Sequence, residues 1–227
     1  MQPVSQASAA GFVLAGGRSS RMGTDKALAS LGGKPLVQIA VAILAAAGVS
    51  VRIAGSRSSL EDFAEVIPDT FAEAGPLGGV HAGLSASLTE WNLFLPVDLP
   101  LMPASLPACL LQRAMLTGEP VTAVRLNGRL EPFPVVLRRS VLSGITKRLQ
   151  AAQAACHAAW SSLPAEMASV LDAPDIEALV QTGQCCHPAG LPPVYWFQSA
   201  NTPTELARID RICSDLAGRN FSSNLRA

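Results

Sequence analysis

The chain has 227 residues, 49% of them hydrophobic and 15% charged, which suits one α/β domain with a sizeable core and excludes a disordered chain. Lysine plus arginine equals aspartate plus glutamate at 17 each, so no basic excess points to nucleic acid or to an anionic membrane. The five cysteines are an odd, scattered set without an export signal, which predicts reduced thiols in the cytoplasm.

The chain opens with MQPVSQASAA, which has no basic lead into an apolar stretch and is not expected to act as a signal peptide. Residues 11–15 (GFVLA) predict the first strand, and a glycine-rich loop follows. Residues 35–47 predict a helix, with Pro35 in its first turn and Gly48 past its end. Its apolar run is about a dozen residues, short of the ~20 that a bilayer span needs. Residues 49–54 (VSVRIA) predict a strand, and residues 65–68 a short one ending at Asp69. The segment AGPLGG reads as a loop ahead of a helix over 80–88.

Residues 91–96 (WNLFLP) predict a strongly apolar strand that runs out at Val97 and Asp98. A helix is expected over 103–115, strands over 121–124 and 134–137, and a helix over 140–155. The stretch 154–193 has the weakest pattern and is given helices over 164–171 and 174–182. A last strand is expected over 194–198, and a last helix over 203–216 capped by Thr202. Apolar runs alternating with helical stretches predict a mostly parallel sheet with helices on both faces.

The segment 14–28, LAGGRSSRMGTDKAL, directly follows the first strand. Gly16 and Gly17 carry no Cβ, so the backbone there can approach a ligand and aim amides at phosphate oxygens. Ser19 and Ser20 add hydroxyl donors. Arg21 suits bidentate phosphate contact, and Lys26 suits a point charge on the same group. Together they would stabilise a leaving pyrophosphate. The spacing matches neither the dinucleotide fingerprint nor the P-loop. An ordinary strand-to-helix turn with surface charges is the competing reading.

Asp98, in LPVDLPLMP, lies just past an apolar strand and so at the carboxyl edge of the sheet, where open α/β sheets bind ligands. Magnesium takes one or two carboxylates and completes its shell with water and substrate phosphates, a role that suits Asp98. A turn aspartate ahead of Pro100 and Pro103 is the alternative. Asp69 also ends a strand and suits base or ribose hydroxyls, with the GPLGG loop of 75–79 beside it. Arg129, Glu131 and Pro132 (GRLEPFPVVL) and Asn201 (SANTPTEL) lie by strands expected to reach the same edge, although Asn-Thr-Pro is also good capping chemistry.

Cys156-His157 and Cys185-Cys186-His187 lack C-x-x-C spacing, and adjacent side chains point apart, so no zinc site is expected. No G-x-S-x-G elbow supports a serine hydrolase. His81 is expected at a helix start rather than as a base.

LAGGRSSRMGTDKAL, GPLGGVHAGL, PVDLPLMP and SANTPTEL resemble, in order and spacing, the molybdenum cofactor guanylyltransferases. That family belongs to the Rossmann-like nucleotidyltransferases, which include sugar-phosphate and cytidylyl enzymes. The resemblance covers most of 11–103 and a short piece near Asn201. It implies a single Rossmann-like, three-layer α/β domain over 1–227, with a nucleotide-binding half at 11–118 and an acceptor half at 119–227. It implies nucleotide contacts from Leu14, Ala15, Gly16, Gly17 and Gly78, phosphate binding by Lys26, guanosine contact by Asp69 and Mg2+ on Asp98. Arg21, Lys26 and Asp98 form the implied catalytic set.

The implied reaction transfers GMP from GTP to molybdopterin and releases pyrophosphate, with transient contact to molybdenum cofactor biosynthesis or acceptor proteins and none to nucleic acid or membrane. The chain departs from the family where an asparagine often follows the second strand, which here reads AGSR. It departs again at Ser199, where the family often has asparagine. A cytidylyl or other nucleotidyltransferase is the alternative, and a non-catalytic nucleotide-binding domain the second.

Overall fold

A strand buried at every position must be covered on both faces, and Ala9–Leu14 (β1) is such a strand. The computed structural model describes residues 9–16, 25–71, 73–161 and 167–223. β1 pairs in parallel with Ser50–Ala54 (β4) on one side and Trp91–Pro96 (β6) on the other. Its neighbouring residues show where the helices lie. A Cβ on Gly11 would fall 3.4 Å from Leu44 in the helix Leu36–Ala46 (α1). On the other face Phe12 stacks on Phe94, centroids 5.1 Å apart, and leaves no room for a side chain at Gly83 of Gly75–Ala86 (α2). Helices therefore cover both faces of the sheet.

The remaining strands are Ser30–Leu31 (β2), Lys34–Pro35 (β3), Val66–Ile67 (β5), Val121–Leu126 (β7), Arg129–Leu130 (β8), Val135–Arg138 (β9) and Ala168–Asp172 (β10). Among the described residues the main sheet has eight strands in the order β10-β7-β9-β6-β1-β4-β5, with β8 paired to β7, while β2 and β3 form a separate hairpin. Pairing is parallel except where β9 meets β6 and β7, and where β8 meets β7. From β1 the chain moves to β4 and β5, then returns through α2 to β6 on the other flank of β1. The strand order reverses there, which opens a crevice beyond the carboxyl ends of β1 and β6.

Four elements differ from the sequence-based expectation. The GPLGG segment is the first turn of α2 and not a loop ahead of it, because proline is tolerated at a helix start. His81 consequently sits inside α2 and not at its start. Part of the helix expected over 164–171 is instead strand β10, whose residues Ala168–Asp172 pair with Val121–Arg125, so tertiary pairing overrides local propensity. Asp172 then caps Ala173–Gln181 (α6) through a reciprocal box with Asp175. No strand forms over 194–198: Pro193–Tyr195 is a single 3-10 turn, and Trp196 is buried with its indole N–H on the Leu191 carbonyl at 2.8 Å.

The helix expected over 140–155 ends sooner, as Leu142–Gln150 (α4), followed by Cys156–Ser161 (α5). Ser105–Thr117 (α3) stops at Gly118, whose positive φ of 74° suits glycine. Pro203–Ser223 (α7) closes the described chain. Among the described residues no helix is long and apolar enough to cross a membrane.

Candidate active site

The ends of β1, β4, β5 and β6 meet at one edge of the sheet. Their ladders fix what each end presents. The Leu14 carbonyl accepts the Val97 amide at 3.2 Å, and the Ala15 amide donates to the Ala54 carbonyl at 3.0 Å. Leu14 and Ala15 are thus buried at the top of the ladder, and Gly16 is the first exposed residue beyond it. Gly17 and Arg21 lie outside the described residues.

Asp69 follows β5 and turns toward Gly16. A Cβ on Gly16 would fall 2.9 Å from Asp69 Oδ2, and one on Gly79 would fall 3.1 Å from Leu14 and 3.7 Å from Asp69 Oδ1. The two glycines therefore let α2 and the β1 end close around this carboxylate. Asp69 Oδ1 is buried without a hydrogen-bond partner among the described residues, and burial holds the Asp69 pKa above the ordinary carboxylate range. Gly78, on the same turn, is buried, and a side chain there would meet Ala74 and the Phe71 carbonyl.

The second group of residues forms around Lys26. It starts the one-turn 3-10 helix Lys26–Leu28, which Asp25 caps by accepting the Ala27 amide at 3.0 Å. Lys26 Nζ reaches Asp98 Oδ2 at 2.9 Å and Asn201 Oδ1 at 2.5 Å. The Lys26 and Asp98 side chains are only 17% and 24% exposed, so the pair is partly shielded from solvent. The Asp98 carbonyl accepts the Ala200 amide at 2.9 Å, which docks the 199–201 segment on the end of β6. The Asn201 amide group donates to Ser199 Oγ at 2.8 Å, and its backbone N–H donates to Glu205 at 2.8 Å. Thr202 Oγ1 accepts the Glu205 amide, so Thr202 does the helix capping and Asn201 is left to face Lys26.

The sheet thus brings Leu14, Ala15, Gly16, Asp69, Gly78, Lys26, Asp98 and Asn201 to one edge. Arg129 and Glu131 sit on the β7–β8 hairpin, with the Glu131 amide on the Val124 carbonyl at 2.8 Å. That hairpin is separated from β6 by β9.

Two features escape a reading of the sequence. Arg57, just past β4, pairs with Asp25; the only hint was a basic residue at a strand end. His81 bridges Thr70 and Thr146 through its two ring nitrogens, each at 3.1 Å, and meets Phe71 edge-on. Burial pulls its pKa below the ordinary imidazole range. Nothing local in the sequence could have linked α2 to α4 in this way.

Residues 11–191 match the family described as the MobA-like NTP transferase domain. A molybdenum cofactor guanylyltransferase from Vibrio atlanticus (strain LGP32) is 46% identical over 92 residues, 39% of this chain and 47% of that protein. The chain therefore spans about half the length of this curated relative. A probable molybdenum cofactor guanylyltransferase from Peptoclostridium acidaminophilum is 30% identical over 159 residues, 67% of this chain and 72% of that protein. Among solved structures, molybdopterin-guanine dinucleotide biosynthesis protein A from Archaeoglobus fulgidus superposes with a TM-score of 0.73 at 18% identity, covering 90% of this chain and 98% of that one. The likeness is one of fold: a Rossmann-like α/β arrangement on a mostly parallel sheet.

Proposed function

Because the chain belongs to the MobA-like NTP transferase family, we propose that it transfers GMP from GTP to the terminal phosphate of molybdopterin and releases pyrophosphate. The observation that carries this reading is the convergence of Lys26, Asp98 and Asn201 at the crevice where the strand order reverses. The reaction needs no protein nucleophile. The acceptor phosphate is already anionic, so its oxygen can attack the α-phosphorus of GTP. A new P–O bond forms there, the bond to the β-phosphate bridge breaks, and pyrophosphate carries away the charge.

The work left to the chain is alignment and charge stabilisation. Lys26, with Arg21, would hold the phosphates, and backbone from Leu14 to Gly17 and at Gly78 would line the nucleotide. Asp69 supports guanosine recognition: a buried acceptor without a partner is satisfied by a ligand N–H or hydroxyl. The 11–118 half would then hold the nucleotide and the 119–227 half the acceptor, entering past Glu131 and Asn201. Brief contact with a molybdenum cofactor biosynthesis protein would deliver the acceptor. The five free thiols support a cytoplasmic setting.

Mg2+ fits the donors present. The Asp98 carboxylate and the Asn201 amide oxygen already converge on one cationic group, and both are hard oxygen ligands. Among the described residues no group of three or more His, Cys, Asp or Glu is placed to hold a metal, so no all-protein cage competes with this one-carboxylate arrangement. Bound at Asp98, magnesium would neutralise charge on the triphosphate.

Pyrophosphate release measured with GTP, CTP, ATP and UTP, with and without molybdopterin, tests the proposal. Release with GTP only when molybdopterin is present, and a guanine dinucleotide product by mass spectrometry, are expected. Product from CTP alone would replace guanylyl with cytidylyl transfer. GTP binding without product from any nucleotide would leave a non-catalytic nucleotide-binding domain.

A further inference from the structure

Lysine places its charge through four flexible carbons, so where the charge goes depends on how firmly its backbone is held. The backbone of Lys26 belongs to a single 3-10 turn, too short to be stable alone. Asp25 caps that turn through Oδ1, and the same oxygen receives the Arg57 guanidinium. Arg57 stands just past β4, whose end is fixed by the Ala15–Ala54 and Gly55–Ile67 hydrogen bonds at 3.0 and 2.9 Å. A continuous route therefore runs from the β4 edge, through Arg57 and Asp25, to the ammonium between Asp98 and Asn201.

We propose that Arg57 is a positioning residue for Lys26, holding Asp25 and with it the turn that aims the Lys26 ammonium at the triphosphate. The proposal rests on the nucleotidyl-transfer reading and deepens it. Two physical effects act together. The planar guanidinium fixes the direction of the Asp25 carboxylate, and so the orientation of the cap. It also neutralises a carboxylate one residue from Lys26, which would otherwise repel an incoming triphosphate. The pair is partly exposed, at 31% and 23%, so it adds little to overall stability and its loss should be felt at Lys26 and not in the fold.

The test compares Arg57→Gln, Arg57→Lys, Lys26→Ala and the double variant Arg57→Gln/Lys26→Ala in the full chain. Arg57→Gln should melt like wild type yet lose about tenfold in kcat for pyrophosphate release, as expected for a displaced charge. Arg57→Lys should recover part of that loss. In the Lys26→Ala background, removing Arg57 should cost less than about twofold, because the group it positions is gone. Losses that multiply in the double variant would overturn the proposal.

A second readout needs no substrate. Reductive methylation of Lys26, followed by peptide mass spectrometry, should run several-fold faster in Arg57→Gln, since a loosened turn releases the ammonium from Asp98 and Asn201. An unchanged rate would also overturn the proposal. If wild type turns over no nucleotide but the methylation difference is present, the proposed reaction fails and the positioning role of Arg57 stands.

Discussion

Lys26 Nζ lies 2.9 Å from Asp98 Oδ2, although 72 residues separate them in the chain. One residue comes from the segment after β1 and the other from the end of β6, and the parallel pairing of those strands makes them neighbours. In the proposed reaction one of them binds phosphate and the other metal, so changes at the two positions should separate by what they do to turnover.

Asp98→Asn keeps the shape of the side chain and an oxygen for Lys26, but removes the charge. The backbone bond from the Ala200 amide to the Asp98 carbonyl is untouched, so the fold should persist by circular dichroism. Turnover should fall about a hundredfold or more, because a charge-stabilising centre is lost. Near wild-type pyrophosphate release from folded Asp98→Asn would remove Asp98 from the metal role.

Lys26→Ala should lower kcat by about tenfold or more while weakening product binding much less, since its charge serves chiefly as pyrophosphate departs. Steady-state kinetics with GTP and calorimetric titration of the dinucleotide product would separate the two effects. Equal losses in both would show uniform binding instead.

Asp69 combines a structural cost with the proposed recognition role. Burial raises its folded pKa above the unfolded value, so above that folded pKa the ionised form works against folding. As pH falls through the folded pKa toward the unfolded one, the cost is relieved. Asp69→Asn should therefore melt a few degrees higher than wild type at pH 7, with the gap closing in acid. Its KM for GTP should rise about tenfold, the loss of a charged hydrogen bond. A melting temperature at pH 7 equal to or below wild type would contradict the sign.

Cys109 on α3 is half-buried, and the Cys185 thiol hydrogen-bonded to it brings its pKa down to about 7. Burial pushes the Cys156 thiol up to about 12, and Cys185, which keeps its proton while donating a hydrogen bond to the Cys109 sulfur, is raised as well. Near neutral pH iodoacetamide should therefore alkylate Cys109 well before Cys156 and Cys185, because the thiolate is the reactive form. Peptide mapping that finds Cys156 or Cys185 modified first would refute this order.

Strand ends were the most legible part of the site. WNLFLP is apolar at every position but Asn92, as suits a strand covered on both faces, and it ends at Pro96, two residues before Asp98, in the sequence as in the fold. The same logic located Asp69 after β5. The weakest readings fell where tertiary contacts override local preference. Residues 164–171 looked helical, yet Ala168–Asp172 is a strand because β7 offers it a parallel partner. Residues 194–198 looked like a strand, but the chain there turns at Pro193 and buries Trp196.

By itself the sequence determined that a mostly parallel sheet exists with helices on both faces, and that glycines and carboxylates gather at the carboxyl ends of its strands. Those features follow from local chemistry: apolar periodicity, missing Cβ atoms and strand-breaking residues act over a few positions. Only the tertiary structure decided which distant groups meet. Lys26 and Asn201 are 175 residues apart and touch at 2.5 Å because α7 begins beside the end of β6. Arg57 meets Asp25 because the β4 end lies beside the Lys26 turn, and His81 joins Thr70 to Thr146 because α2 packs on α4. Such pairings depend on strand order and helix docking, which are set by burial of the whole core and leave no periodic signal in the residues that meet.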